Sequence, residues 1–141
     1  MTREEIVTLF ERRCQALNDR DGAALAAHYS DEATVDSPLA GGSATGREAI
    51  ERLYSTYFLA FPDFKFEQDE LLIDGDQVAQ LGRISGTDNG GFMGMSPTHR
   101  RVIFRVALFH ILRDGLIVRE RRIYDFTGLL IQVGVLKAKP T

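Results

Sequence analysis

The chain has 141 residues, 44% of them hydrophobic and 26% charged, with a formal net charge of −3; that size and balance suit one packed domain and exclude a disordered chain or a long coiled coil. The slightly acidic character supplies no positive field of the kind that draws proteins to phosphate backbones, so nucleic acid is not an expected partner. No apolar run approaches the roughly 20 residues a membrane span needs and Met1 to Glu5 lacks a signal pattern, so no membrane partner is expected and the cytoplasm is the expected compartment.

In chain order, Ile6, Leu9, Phe10, Arg13 and Leu17 recur at helical spacing behind Thr2, which predicts an amphipathic helix ending near Asn18-Asp19. The single cysteine, Cys14, falls inside this pattern and reads as a small packed side chain; alone it forms no intrachain disulfide and no thiolate cluster, and no metal site is expected. Asp21 predicts a second short helix to about Tyr29, followed by a short strand over Ala33 to Asp36. Leu39 to Ala44 is small and flexible, and Thr45-Gly46-Arg47-Glu48 opens a third helix carrying Ile50, Leu53, Tyr54, Tyr57 and Phe58, which Pro62 stops.

Beyond Pro62 the period changes toward two. Phe64 to Ile73 predicts a strand, Asp74-Gly75-Asp76 a turn, and Gln77 to Gly86 the hairpin partner. Thr87 to Pro97 holds glycines, two methionines and a phenylalanine; it is too apolar for a purely solvated loop and is expected to cover something. Two long strands follow, Arg101 to Leu112 and Leu116 to Tyr124, joined by Arg113-Asp114-Gly115, and Thr127 to Val133 ends the pattern as an apolar turn or short helix; Pro140 is the last of four scattered prolines. Arg119, Arg121 and Arg122 around Glu120 form either a solvated strand face or a paired network. Three helices and then antiparallel strands give an α+β fold with helices on one face of a strongly bent sheet, whose interior is the place to look for a ligand.

Gly86-Thr87-Asp88-Asn89-Gly90-Gly91-Phe92-Met93-Gly94-Met95-Ser96-Pro97-Thr98 resembles the G-T-H-x-G-x-F-x-G-x-x-P-T pattern of SnoaL-like polyketide cyclases. Ala60-Phe61-Pro62-Asp63, Asp114 to Val118 and Asp125 to Gly134 are similar to further blocks of that family. The resemblance implies one NTF2-like cone over residues 1–141, usually dimeric, whose better known members close a ring of an aromatic polyketide ester by an intramolecular aldol reaction without a cofactor. It makes Asp125 the general acid/base and lets His110, on the neighbouring strand, assist it. By the residues themselves, Asp125 is equally a cap for the terminal turn, and His110 a core histidine satisfied by a neighbour.

An apolar, aromatic pocket is expected from Phe10, Tyr29, Tyr57 and Phe58 with Phe61, Phe92 and Met93, and Asp36, Asp63, Arg83 and Arg121 are its candidate polar contacts. Two departures from the family pattern stand out: Asp88 replaces its histidine, and Arg121 a frequent tryptophan. Ala33 to Pro38 also resembles ketosteroid isomerases, but Ser37 stands where their base is and Leu108 where their acid is. Arg83 matches the arginine of limonene-type epoxide hydrolases, with Ser85 in place of the neighbouring aspartate. A non-catalytic binding module using the same cavity is the alternative of a different class.

Overall fold

The computed structural model describes residues 1–39 and 41–137; Ala40, in the stretch read as flexible, and Pro140 lie outside the described residues. Helix α1 spans Arg3–Asn18, and the Thr2 hydroxyl accepts the Glu5 N–H at 3.1 Å, satisfying one of the amide donors a helix start leaves free. Asp21 caps α2, Gly22–Ala26, through Ala24 at 3.0 Å. The chain then enters strand β1, Tyr29–Ser37. The second helix is thus shorter than expected, because Tyr29 joins the sheet opposite Ile117. Tertiary pairing overrides the local helical spacing there.

Strand β2, Gly42–Thr45, forms in the stretch expected to be flexible and pairs with β1 from Thr34↔Thr45 to Ser37↔Gly42. Helix α3 runs Arg47–Ala60, followed by the hairpin of β3, Lys65–Asp74, and β4, Gln77–Thr87. Strands β5, Arg101–Arg113, and β6, Leu116–Ile123, form a second hairpin, and α4, Phe126–Val133, is a true helix closed by Gly134 in the left-handed region at φ 93°.

The six strands lie in the order β2-β1-β6-β5-β4-β3; β1 runs parallel to β6 and every other neighbouring pair is antiparallel. Register shifts at Gln68/Glu70, Ile111/Leu112 and Tyr29/Thr34 are the bulges that let so long a sheet curl. On β5, Val102, Phe104, Val106, Leu108, His110 and Leu112 are buried while alternate residues face outward. The concave side receives Ile6, Phe10 and Leu17 of α1 and Ile50, Leu53, Tyr54 and Tyr57 of α3 in one continuous core. This is the NTF2-like α+β cone, with a fourth helix at its C-terminal end. No helix among the described residues is long and apolar enough to cross a membrane.

Candidate functional site

Between α1, α3 and the concave face lies a narrow cavity of about 40 Å³. Leu17, Phe64, Phe66, Ile84, Phe104, Val106 and Leu108 supply its apolar wall, and Arg13, Tyr54, Tyr57, Arg122 and Tyr124 complete the lining. The hydroxyls of Tyr57 and Tyr124 are hydrogen-bonded to each other, so one donates to the other and keeps its lone pairs, while the acceptor retains a proton to donate. Burial pushes the Tyr57 phenol well above its ordinary pKa, which keeps it protonated.

Behind this wall sits a buried charge cluster. Glu120 is fully buried; its Oε1 accepts from Arg13 Nη2 at 2.9 Å and from the Tyr29 hydroxyl at 2.5 Å, and its Oε2 accepts from Arg122 Nε at 2.6 Å. Arg13 also donates to Tyr29 at 2.8 Å and to Gln80 Oε1 at 3.1 Å, and the Tyr29 and Tyr54 hydroxyls are 2.6 Å apart. The Arg122 guanidinium lies 4.6 Å from the centre of the Tyr54 ring, and its Nη2 is buried without a partner among the described residues. Burial alone would raise the Glu120 pKa, but Arg122 and Arg13 outweigh it and hold the carboxylate ionised. Burial likewise favours deprotonating both arginines; the tyrosine and glutamate oxygens reverse that and hold them charged.

His110 is buried at the edge of the Phe10 ring, 4.9 Å between centroids. Its Nδ1 comes within 3.3 Å of Glu120 Oε1 without hydrogen-bond geometry, and neither ring nitrogen has a hydrogen-bond partner among the described residues. Desolvation lowers its pKa to about 3 despite the nearby carboxylate, with Arg13 and Arg122 adding to the effect, so the imidazole is neutral.

The structure gathers only part of the expected set. Tyr57 lines the cavity; Tyr29 and His110 belong to the cluster behind it; Phe58 stacks on Tyr54, 6.1 Å between ring centres. Phe10 packs behind the cluster against His110. Phe92 anchors its loop on Tyr57 and Phe61, at 6.0 and 5.6 Å, without lining the cavity itself, and Met93 is exposed. The covering loop therefore covers the end of α3.

Asp36 pairs with Arg119 and Arg83 with Glu67 and Asp69, all at the surface. Asp63 accepts the Thr87 N–H and hydroxyl at 2.7 and 2.8 Å; these bonds outweigh its slight desolvation and lower its pKa, which makes it a strand clasp. Arg121 is exposed over Phe109. Asp88 is buried and accepts from Gly91 N and from Thr98 N and Oγ1, so it organises the loop. Asp125, expected to face the cavity, is exposed and caps α4, accepting the Gly128 N–H at 2.8 Å; it does not line the cavity. The reason is local: the carboxylate lies within reach of the amides that the start of α4 leaves free.

Arg13, Tyr54, Glu120 and Arg122 form the core of the site without being among its expected residues. The signal for Arg13 was present, since it falls on the apolar stripe of α1 between Phe10 and Leu17. For the β6 cluster the paired network, one of the two readings kept open, is what forms at Glu120 and Arg122. Among the described residues no group of three or more His, Cys, Asp or Glu is placed to hold a metal.

Comparison with known proteins bears on the fold and the family. AclR of Streptomyces galilaeus, a candidate hydroxylase, superposes with a TM-score of 0.85 at 24% identity, over 99% of this chain and 87% of its own. IdmH of Streptomyces antibioticus, a candidate polyketide cyclase, does so with 0.75 at 26% identity, over 91% and 97%. TerC, co-crystallized with polyporic acid, gives 0.75 at 15% identity, over 92% and 98%. No curated protein matches significantly in sequence. The family model for SnoaL-like polyketide cyclase matches residues 8–133, and the chain accordingly belongs to the SnoaL-like polyketide cyclase family.

Proposed function

We propose that this protein is a cofactor-free acid/base enzyme that binds a hydrophobic, aromatic polyketide-type molecule in its cone and closes a ring by an intramolecular aldol reaction. The observation that carries the reading is the apolar, aromatic cavity on the concave face, with Tyr54, Tyr57, Tyr124 and Arg122 among its lining residues. Family membership supports the reaction type, and the polyporic acid bound by TerC supports a small-molecule occupant.

In this reading a carboxylate removes a proton beside a carbonyl, the enolate carbon attacks a second carbonyl, and the proton returns to the new alkoxide, so the product is an isomer of the substrate. The tyrosine hydroxyls and Arg122 stabilise the developing oxyanion. Asp125 is the proposed base, acting on a substrate that projects past Tyr124, its neighbour in the chain; neutral His110 packs beside Glu120. Asp125→Asn is expected to lower turnover of an aromatic polyketide ester by roughly 100-fold or more with binding unchanged, followed as loss of a product of equal mass. Equal turnover removes Asp125 from the mechanism.

The second reading, a binding module without chemistry, is favoured by one observation: the cavity lining contains neither a carboxylate nor an imidazole. Saturable binding with no isomer formed would establish it. The working form is proposed to be a cytoplasmic homodimer.

A further inference from the structure

The charges behind the cavity do not cancel. Arg13 and Arg122 contribute two buried guanidiniums, with side chains 1% and 7% exposed, against the single carboxylate of Glu120. His110 is neutral, and burial keeps the Tyr29 phenol protonated. The cluster therefore holds one net positive charge in a water-poor interior, where an uncompensated charge is costly. Glu120 has already given both oxygens to Arg13, Tyr29 and Arg122. Nη2 of Arg122 is buried without a partner among the described residues, on a residue that lines the cavity.

From this geometry we infer that the cavity takes its ligand already ionised: an aromatic monoanion whose charged oxygen sits on Nη2 of Arg122 and neutralises the Arg13–Glu120–Arg122 cluster. The inference rests on the small-molecule reading above and sharpens it, since a neutral polyketide body would leave both the donor and the charge unmatched. A dianion would reverse the imbalance. The Tyr54, Phe64, Phe66 and Phe104 rings that flank the narrow site favour a flat aromatic body, which enters as they part.

Calorimetric titration with 2-naphthoate and its uncharged analogue 2-naphthamide at neutral pH tests this. The wild-type protein is expected to bind naphthoate about tenfold or more tightly than the amide. Arg122→Met leaves one arginine facing one glutamate and is expected to bring the ratio to within about twofold. In wild-type protein labelled with 15N-arginine, one protected Nε–H signal is expected to move with naphthoate and stay with the amide, a readout that holds whether or not the variant folds. Equal wild-type affinities, a still Nε–H signal, or a folded Arg122→Met that keeps the preference overturns the inference and leaves a neutral-ligand cavity standing. Binding of neither probe overturns the small-molecule reading as well.

Discussion

Asp125 carries two assignments that separate cleanly by substitution. As the N-cap of α4 it is worth about 1 kcal/mol, so Asp125→Ala is expected to lower stability by that amount in urea unfolding, while Asn, which caps as well, costs only a few tenths. A loss of turnover in Asp125→Asn therefore cannot be blamed on the cap. Glu120 is the residue whose removal the fold feels most. Glu120→Gln leaves two guanidiniums buried with no carboxylate, and a loss of about 3–5 kcal/mol is expected in the same measurement. Both Glu120 and His110 have native pKa values below those of the unfolded chain, so the unfolded chain binds protons that the native state refuses. Stability is then complete above the unfolded values and declines on acidification: from near 6.5 for His110, whose contribution is gone by about 3, and from the carboxylate range downward for Glu120. The slope approaches about 1.4 kcal/mol per pH unit for each proton. Replacing His110 with Leu is expected to flatten the decline between mid-range pH and the carboxylate region, measured as urea midpoints across pH.

At the scale of elements, α1, α3, the β3–β4 hairpin and the β5–β6 hairpin were all legible, because their apolar spacing is either helical or alternating and their ends carry Thr2, Pro62, Asp74-Gly75 and Asp114-Gly115. Strand β2 was not: Gly42-Ser43-Ala44-Thr45 has no pattern of its own and becomes a strand only because β1 offers it an edge. The end of α2 was misread for the same reason, as Tyr29 is claimed by β6 and by Glu120. The loop after β4 depends on a close approach that sequence alone does not announce. Gly90 donates its N–H to Ala60 at 3.0 Å, and a Cβ there would stand 1.6 Å from the Leu59 carbonyl oxygen. Gly90→Ala is therefore expected to lift the loop and its Phe92 anchor from α3 and cost about 2–3 kcal/mol, seen as a lower urea midpoint and faster hydrogen exchange at Asp88 to Phe92.

For the molecule as a whole, the outer face of the sheet carries two apolar rows, Leu72–Ala79–Phe109 and Leu81–Ala107–Ile123, with Ile103 beside them. Ile123 is 62% exposed and Leu72 55%, a broad patch for a lone chain and the surface proposed for the homodimer. Ile123→Glu is expected to give a monomer by sedimentation equilibrium with the cavity intact; a monomeric wild-type protein at micromolar concentration would refute the assembly. The cone was readable from the order of its elements, whereas its site was not, since the working groups come from α1, α3 and β6 and meet only after the sheet curls. Arg13 and Glu120 stand 107 positions apart, and β1 finds its parallel neighbour only in β6. A nascent chain leaving the ribosome therefore holds a bare arginine on α1, and β1 without its parallel neighbour, until β6 has been synthesised. Completion of this fold must wait for release of the C-terminal hairpin, and a polypeptide halted before it would present chaperones with an open sheet edge and an interior that cannot close.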